Sequence, residues 1–208
     1  MIDAAVVLTA FALILPAELP DKTFIATLVL ATRYPRLWVW IGVGTAFFLQ
    51  VLIAVTAGGL LALLPSRLVL GATLALFAVG AVVSIRSGLS SRAAERAAED
   101  AEESEIIERV ADQESDSRLR VVLISFGVLF AAEWGDLSQL LTAGLAARTD
   151  DPLSVFLGAW SALLVVSGVA VLSGAWLRSR VPLWRVRLLS GGILTALAVW
   201  TAIEFVRA

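Results

Sequence analysis

The chain has 208 residues, 59% of them hydrophobic and 16% charged, with a mean hydropathy of +0.90 and a formal net charge of -2. A soluble domain of this length would be about half apolar and about a quarter charged, so the composition excludes one and points to an integral membrane protein. The absence of Cys and His excludes disulfides, thiolate and imidazole metal sites and imidazole proton relays, so any metal must be held by oxygen and any proton must ride on a carboxylate.

Six apolar runs are long enough to cross a bilayer, which takes about 20 helical residues. The first covers 3–31; it follows no basic region or small-residue cleavage site and is expected to be a retained helix. Pro16 and Pro20 flank Glu18 in this run, and each removes an N-H from the helical ladder, which predicts a kink or an unwound turn there. Arg33, Pro35 and Arg36 make a basic turn, with Trp38 and Trp40 placed as interfacial anchors. The second helix, 37–63, carries Gly42, Gly44, Gly58 and Gly59, which allow close helix contact. Gln50 lies near its middle, either as an interhelical hydrogen bond or as an ion-path ligand. A third helix covers 67–86.

Between residues 87 and 118 the character changes: ten of the eighteen acids lie between Glu95 and Asp116, and Ala, Glu, Arg and Asp dominate. This composition predicts a soluble, partly helical linker. A fourth helix follows over 119–147 with Glu133 at its midpoint, a fifth over 153–177, and a sixth over 183–206. Glu204, near the end of the sixth, lies outside the repeated motif and is expected to tolerate Gln. The domain plan is therefore a first three-helix repeat (1–86), an acidic linker (87–118) and a second three-helix repeat (119–208).

The loops after helices one, three and five hold twelve arginines, and the opposite side holds Arg67, Arg148 and Arg207. With the long linker discounted the bias is still six to three. This predicts a multi-pass protein of a bacterial-type inner (plasma) membrane, both termini outside the cytoplasm and the acidic linker inside it.

Two stretches echo each other at an offset of 115: Glu18-Leu19-Pro20-Asp21-Lys22-Thr23 and Glu133-Trp134-Gly135-Asp136-Leu137-Ser138-Gln139. An ionisable group at mid-membrane depth costs about 3 kcal/mol even on the mildest insertion scale, so four matched acids imply a function. Three helices per half is an odd number, so the second half enters the membrane inverted and the two motifs can meet at the midplane, as in secondary transporters. The expected fold is all-α: six transmembrane helices as two inverted three-helix repeats. Four carboxylates, the Thr23 and Ser138 hydroxyls, the Gln139 amide and freed carbonyls make an all-oxygen cage suited to hard divalent ions. Crowded carboxylates repel and take up protons when the cation leaves, which predicts cation-for-proton exchange. Lys22 stands four residues after Glu18, as its counter-charge or as a snorkelling side chain.

At these motifs the chain resembles the Gdt family of cation/proton exchangers, whose signature is E-x-G-D-[KR]-[ST] in each of two three-helix repeats joined by an acidic loop. The family includes eukaryotic Golgi and chloroplast members and bacterial manganese exporters. The resemblance implies that Glu18, Asp21 and Thr23, with Glu133, Asp136 and Ser138, line the ion path, and that the substrate is manganese, then calcium. Pro20 stands where the family has its first glycine, and Leu137 where it has its second basic residue.

Other readings of the same residues are a proton-coupled exporter of small organic cations, a cation channel with acidic rings, and an intramembrane aspartyl protease using Asp21 and Asp136. The repeated glutamates, which a protease dyad does not require, favour a transporter over an enzyme. No cofactor and no nucleic-acid partner is expected; the partners are the divalent cation, protons and the lipid bilayer, with a homodimer left open.

Overall fold

The computed structural model describes residues 2–18, 22–63, 65–89, 97, 101, 104–108, 117–134, 136–149, 151–180 and 183–207; the side chains of residues 22, 66, 87, 137, 173–187, 189 and 190 are outside the description. The described residues form eight long helices: α1 (Ala4–Glu18), α2 (Lys22–Arg33), α3 (Arg36–Leu61), α4 (Ser66–Leu89), α5 (Arg118–Ala132), α6 (Leu137–Arg148), α7 (Pro152–Arg180) and α8 (Leu183–Arg207). Of the linker, residues 87–89, 97, 101, 104–108, 117 and 118 are described; all but Ser117 are helical, and Ile106 is buried against the core.

Among the described residues three helices are long and apolar enough to cross a membrane, with spans at Arg36–Leu61, Arg67–Arg86 and Pro152–Leu172. A fourth is made if α1 and α2, inclined by 72° to one another, count as one broken span. The core lies between α3 and α7: 56% of each of their spans is buried, against 22% of the α4 span, so α4 belongs to the periphery. Large apolar side chains such as Leu52, Leu68, Val79, Leu123, Leu172 and Trp200 point outward, as a lipid-facing surface requires.

Side-chain contacts fix the helix directions. The Trp40 indole donates to the Leu164 carbonyl at 3.1 Å, the Trp160 indole to the Gly44 carbonyl at 3.0 Å, and the Phe48 ring meets Phe156 at 5.2 Å. Numbers rise on α3 as they fall on α7, so the two are antiparallel. Trp40, expected as an interfacial anchor, instead joins these two helices. Gly42 lies against Val122 and Ser125, and Gly58 against Ala143 and Ala146, so α3 runs parallel to α5 and then α6. Gly158 lies against Val7 and Ala10, while Phe24 clusters with Val166 and Ala170, so α7 runs parallel to α1 and then α2. It follows that the α1 and α2 segment runs opposite to α5 and α6.

These approaches depend on glycine. A Cβ at Gly42 would stand 2.8 Å from the Ser125 Cβ and closer still to the Val122 carbonyl oxygen. At Gly158 one would stand 2.8 Å from the Ala10 Cβ and closer still to the Val7 carbonyl oxygen. The two contacts are equivalent positions of the two halves, and each lets a pair of backbones touch. Outside this core, α4 and α8 form a long antiparallel pair, with Gly71 beside Phe205, Gly88 beside Leu188 and Gly191 beside Ile85.

Candidate functional site

Both motifs fall where a helix stops. Within the first motif α1 ends at Glu18 and α2 begins at Lys22; within the second α5 ends at Ala132 and α6 begins at Leu137. Glu133 caps α5 at φ -97° and ψ 8°, the sparsely populated bridge region where many active-site residues sit. Its N-H still donates to the Leu129 carbonyl at 3.1 Å. A break leaves the last carbonyls of a helix without their usual donors. One of these, the Phe130 carbonyl, accepts the Gln50 amide of α3 at 3.2 Å. Gln50 is thus an interhelical hydrogen bond, buried beside the break.

The two breaks converge. Glu18 is 1% exposed and Glu133 2%, and with half-buried Asp136 they offer carboxylate oxygens all within 4.8 Å of one another, a group that could hold a metal ion. Thr23, buried on the first turn of α2, stands between the halves: its Oγ1 is 3.0 Å from Glu18 Oε2 and 2.8 Å from Glu133 Oε1. Ser138 is buried on the first turn of α6, with half-buried Gln139 beside it. Asp21 lies outside the described residues, as do Pro20 and Gly135, and the Lys22 side chain is outside the description too. An all-oxygen set of carboxylates and hydroxyls suits a hard divalent cation.

Of the residues that support this cluster, sequence reasoning had singled out Gln50, as an interhelical hydrogen bond or an ion-path ligand. Gln50 carried a visible signal, a lone amide in an apolar run. The crossing indoles of Trp40 and Trp160 carried none, since their acceptors are main-chain carbonyls on a helix over 110 residues away. The same holds for Arg148, which pairs with Glu204 and donates to the Thr201 hydroxyl at 2.8 Å, tying α6 to α8.

The family model described as divalent cation/proton antiporter GDT1 matches residues 6–92 and 121–208, the two halves on either side of the linker. A GDT1-like protein of the cyanobacterium Synechocystis is 32% identical over 94% of this chain and 99% of its own length. GDT1-like protein 5 of Arabidopsis thaliana is 33% identical over 86% of each chain. The chloroplastic GDT1-like protein 2 of rice is 31% identical over 92% of this chain, which spans 59% of the rice protein. No solved structure matches. Two family segments cover most of the chain, and the matched acids lie within them: the chain belongs to the GDT1 family of divalent cation/proton antiporters, and is a multi-pass membrane transporter, not an enzyme.

Proposed function

We propose that this antiporter exchanges manganese or calcium for protons at a single site built from Glu18, Asp21 and Thr23 of one half and Glu133, Asp136 and Ser138 of the other, with Gln139 beside it. The observation that carries the reading is the convergence of Glu18, Glu133 and Asp136, from two oppositely running broken segments, to within 4.8 Å. Carboxylates so close and so little exposed are tolerable together only when a cation or protons offset their charge. Thr23 sharpens the point: a hydroxyl has one proton to give, and it touches two carboxyl groups. One accepts that proton, and the other meets the hydroxyl oxygen favourably only as an acid. A divalent cation entering the cluster takes the place of such protons, which is the exchange.

The architecture that serves it is six membrane crossings as two inverted three-helix repeats, 1–86 and 119–208, joined by the acidic linker 87–118. The opposite direction of α1 with α2 against α5 with α6, and the equivalent contacts of Gly42 and Gly158, support this plan. In it α5 with α6 makes the fourth crossing and α8 the sixth, as antiparallel counterparts of α1 with α2 and of α4. The arginine bias supports both termini lying outside the cytoplasm. Rocking one half against the other then opens the shared site to each side in turn.

The test is transport in reconstituted vesicles loaded with a manganese-sensitive dye. Uptake that accelerates under an imposed proton gradient and is abolished in Glu133→Gln and Asp136→Asn, both still expressed and folded, is the expected result. Wild-type transport in either variant would remove that residue from the site, and conduction indifferent to the gradient would indicate a channel.

A further inference from the structure

Six threonines of the helices share one habit, while Thr32 donates to the carbonyl three residues earlier. Thr9, Thr45, Thr56, Thr142, Thr149 and Thr195 each donate to the carbonyl four residues earlier in their own helix, at 2.7 to 3.0 Å. Thr27 departs from it. Its hydroxyl is fully buried at 0% exposure and has no hydrogen-bond partner among the described residues, and the same is true of Ser125. Both had an own-helix carbonyl within reach of the other rotamer.

The two hydroxyls lie on one side of the carboxylate cluster. α2 leaves the cluster at Thr23 and runs to Arg33, so Thr27 stands one turn away, about 6 Å along the axis. α5 packs on α2 and runs the other way, from Arg118 to the cluster, so Ser125 stands about 12 Å before Glu133 on the same side. That side ends in the basic face of Arg33, Arg36 and Arg118, the last lying 5.5 Å over the Trp38 ring. In the other half the positions equivalent to Thr27 and Ser125 are Thr142, whose hydroxyl is taken by its own helix, and Ala10, which has none.

Among the described residues the two sides also differ in packing. Beyond Thr27 the chain is closed by Leu30, Tyr34 and Val39, all buried. Their equivalents Leu145, Thr149 and Val155 line an open cavity of about 230 Å³ on the opposite side. Among the described residues, hydroxyls without a partner are buried on the packed side and none borders that cavity, as along a route for a hydrated ion that has shut.

We propose that Thr27 and Ser125 line the route between the carboxylate cluster and the basic face, where their oxygens ligate the passing divalent cation or its waters. This rests on the reading of the cluster as the exchange site. The test compares Thr27→Val, Ser125→Ala and Thr27→Ser in vesicles and in detergent. Val is isosteric and removes a hydroxyl without a partner, so Thr27→Val should keep or raise the thermal midpoint and keep the Mn²⁺-induced shift of that midpoint. Its maximal exchange rate should fall about tenfold, with Thr27→Ser restoring it and Ser125→Ala slowed in the same way. Rates within twofold of wild type in both variants, a lowered midpoint in Thr27→Val, or a lost Mn²⁺ response would each overturn the proposal. Glu133→Gln run alongside separates the two levels. If it is inert while Thr27→Val exchanges like wild type, the route alone fails; if Glu133→Gln itself exchanges, the site fails with it.

Discussion

At Glu133 the chain does two things at once: it ends a helix and turns an acid toward the opposite half. The bridge-region backbone there is sustained from outside, because Gln50 of α3 supplies the Phe130 carbonyl with the donor that the interrupted helix cannot. Gln50→Leu keeps the volume and removes the donor. Leaving a buried carbonyl unpaired costs about 1–3 kcal/mol. The expected result is a lowered thermal midpoint together with a weaker Mn²⁺-induced shift, since Glu133 loses its fixed position; an unchanged midpoint would mean the Phe130 oxygen finds another donor. At this scale the acids were legible in the sequence, because a charge in an apolar run has no cheap structural explanation. Thr23 and Gln50 could be picked out too, but not their partners, because a hydroxyl between two carboxylates and an amide on a distant carbonyl are products of tertiary contact that no spacing encodes.

Elements meet here by backbone contact, and the glycines that permit it differ sharply from those that do not. Gly42 faces the Val122 carbonyl and Ser125, whereas an added Cβ at Gly59 meets nothing within 4 Å. Gly42→Ala should therefore lose about 1–3 kcal/mol by forcing α3 off α5, while Gly59→Ala should be neutral or gain up to about 1 kcal/mol from helix propensity. Chemical unfolding in detergent measures both, and equal effects would remove the contact argument. Glu204 is less indifferent than its place outside the motif suggested, since it pairs with Arg148 and accepts the Trp200 indole at 2.7 Å. Gln keeps an oxygen for one of the two donors, and the pair is partly exposed, so Glu204→Gln should cost at most about 1 kcal/mol and leave exchange intact. The glycines and the interrupted helices could be read from the sequence because both rest on local rules. Which glycine touches which helix could not, because the small-residue pattern marks a close approach without naming the partner.

Across the whole molecule the two halves are tied at opposite ends by equivalent positions with different chemistry. At one end Arg118 lies over the Trp38 ring; at the other the Asp3 N-H donates to the Ser154 hydroxyl at 2.8 Å and to Asp151 Oδ2 at 3.1 Å. Asp3 matches Arg118 and Ser154 matches Trp38 in the repeat, so one tie is cationic and the other is built on an anion. The second responds to acid. The Ser154 hydroxyl, the Ser154 N-H and the Asp3 N-H all favour the Asp151 carboxylate and hold its pKa below the ordinary 3.8. A folded pKa below the unfolded one means that the ionised form stabilises the fold at every pH above the unfolded value. That contribution is lost as pH falls through the folded value. Asp151→Ala should therefore melt below wild type at pH 7 and at pH 5, and the difference should close as the pH drops under about 4. A difference that persisted unchanged in strong acid would show that the tie between α1 and α7 does not depend on the charge of Asp151.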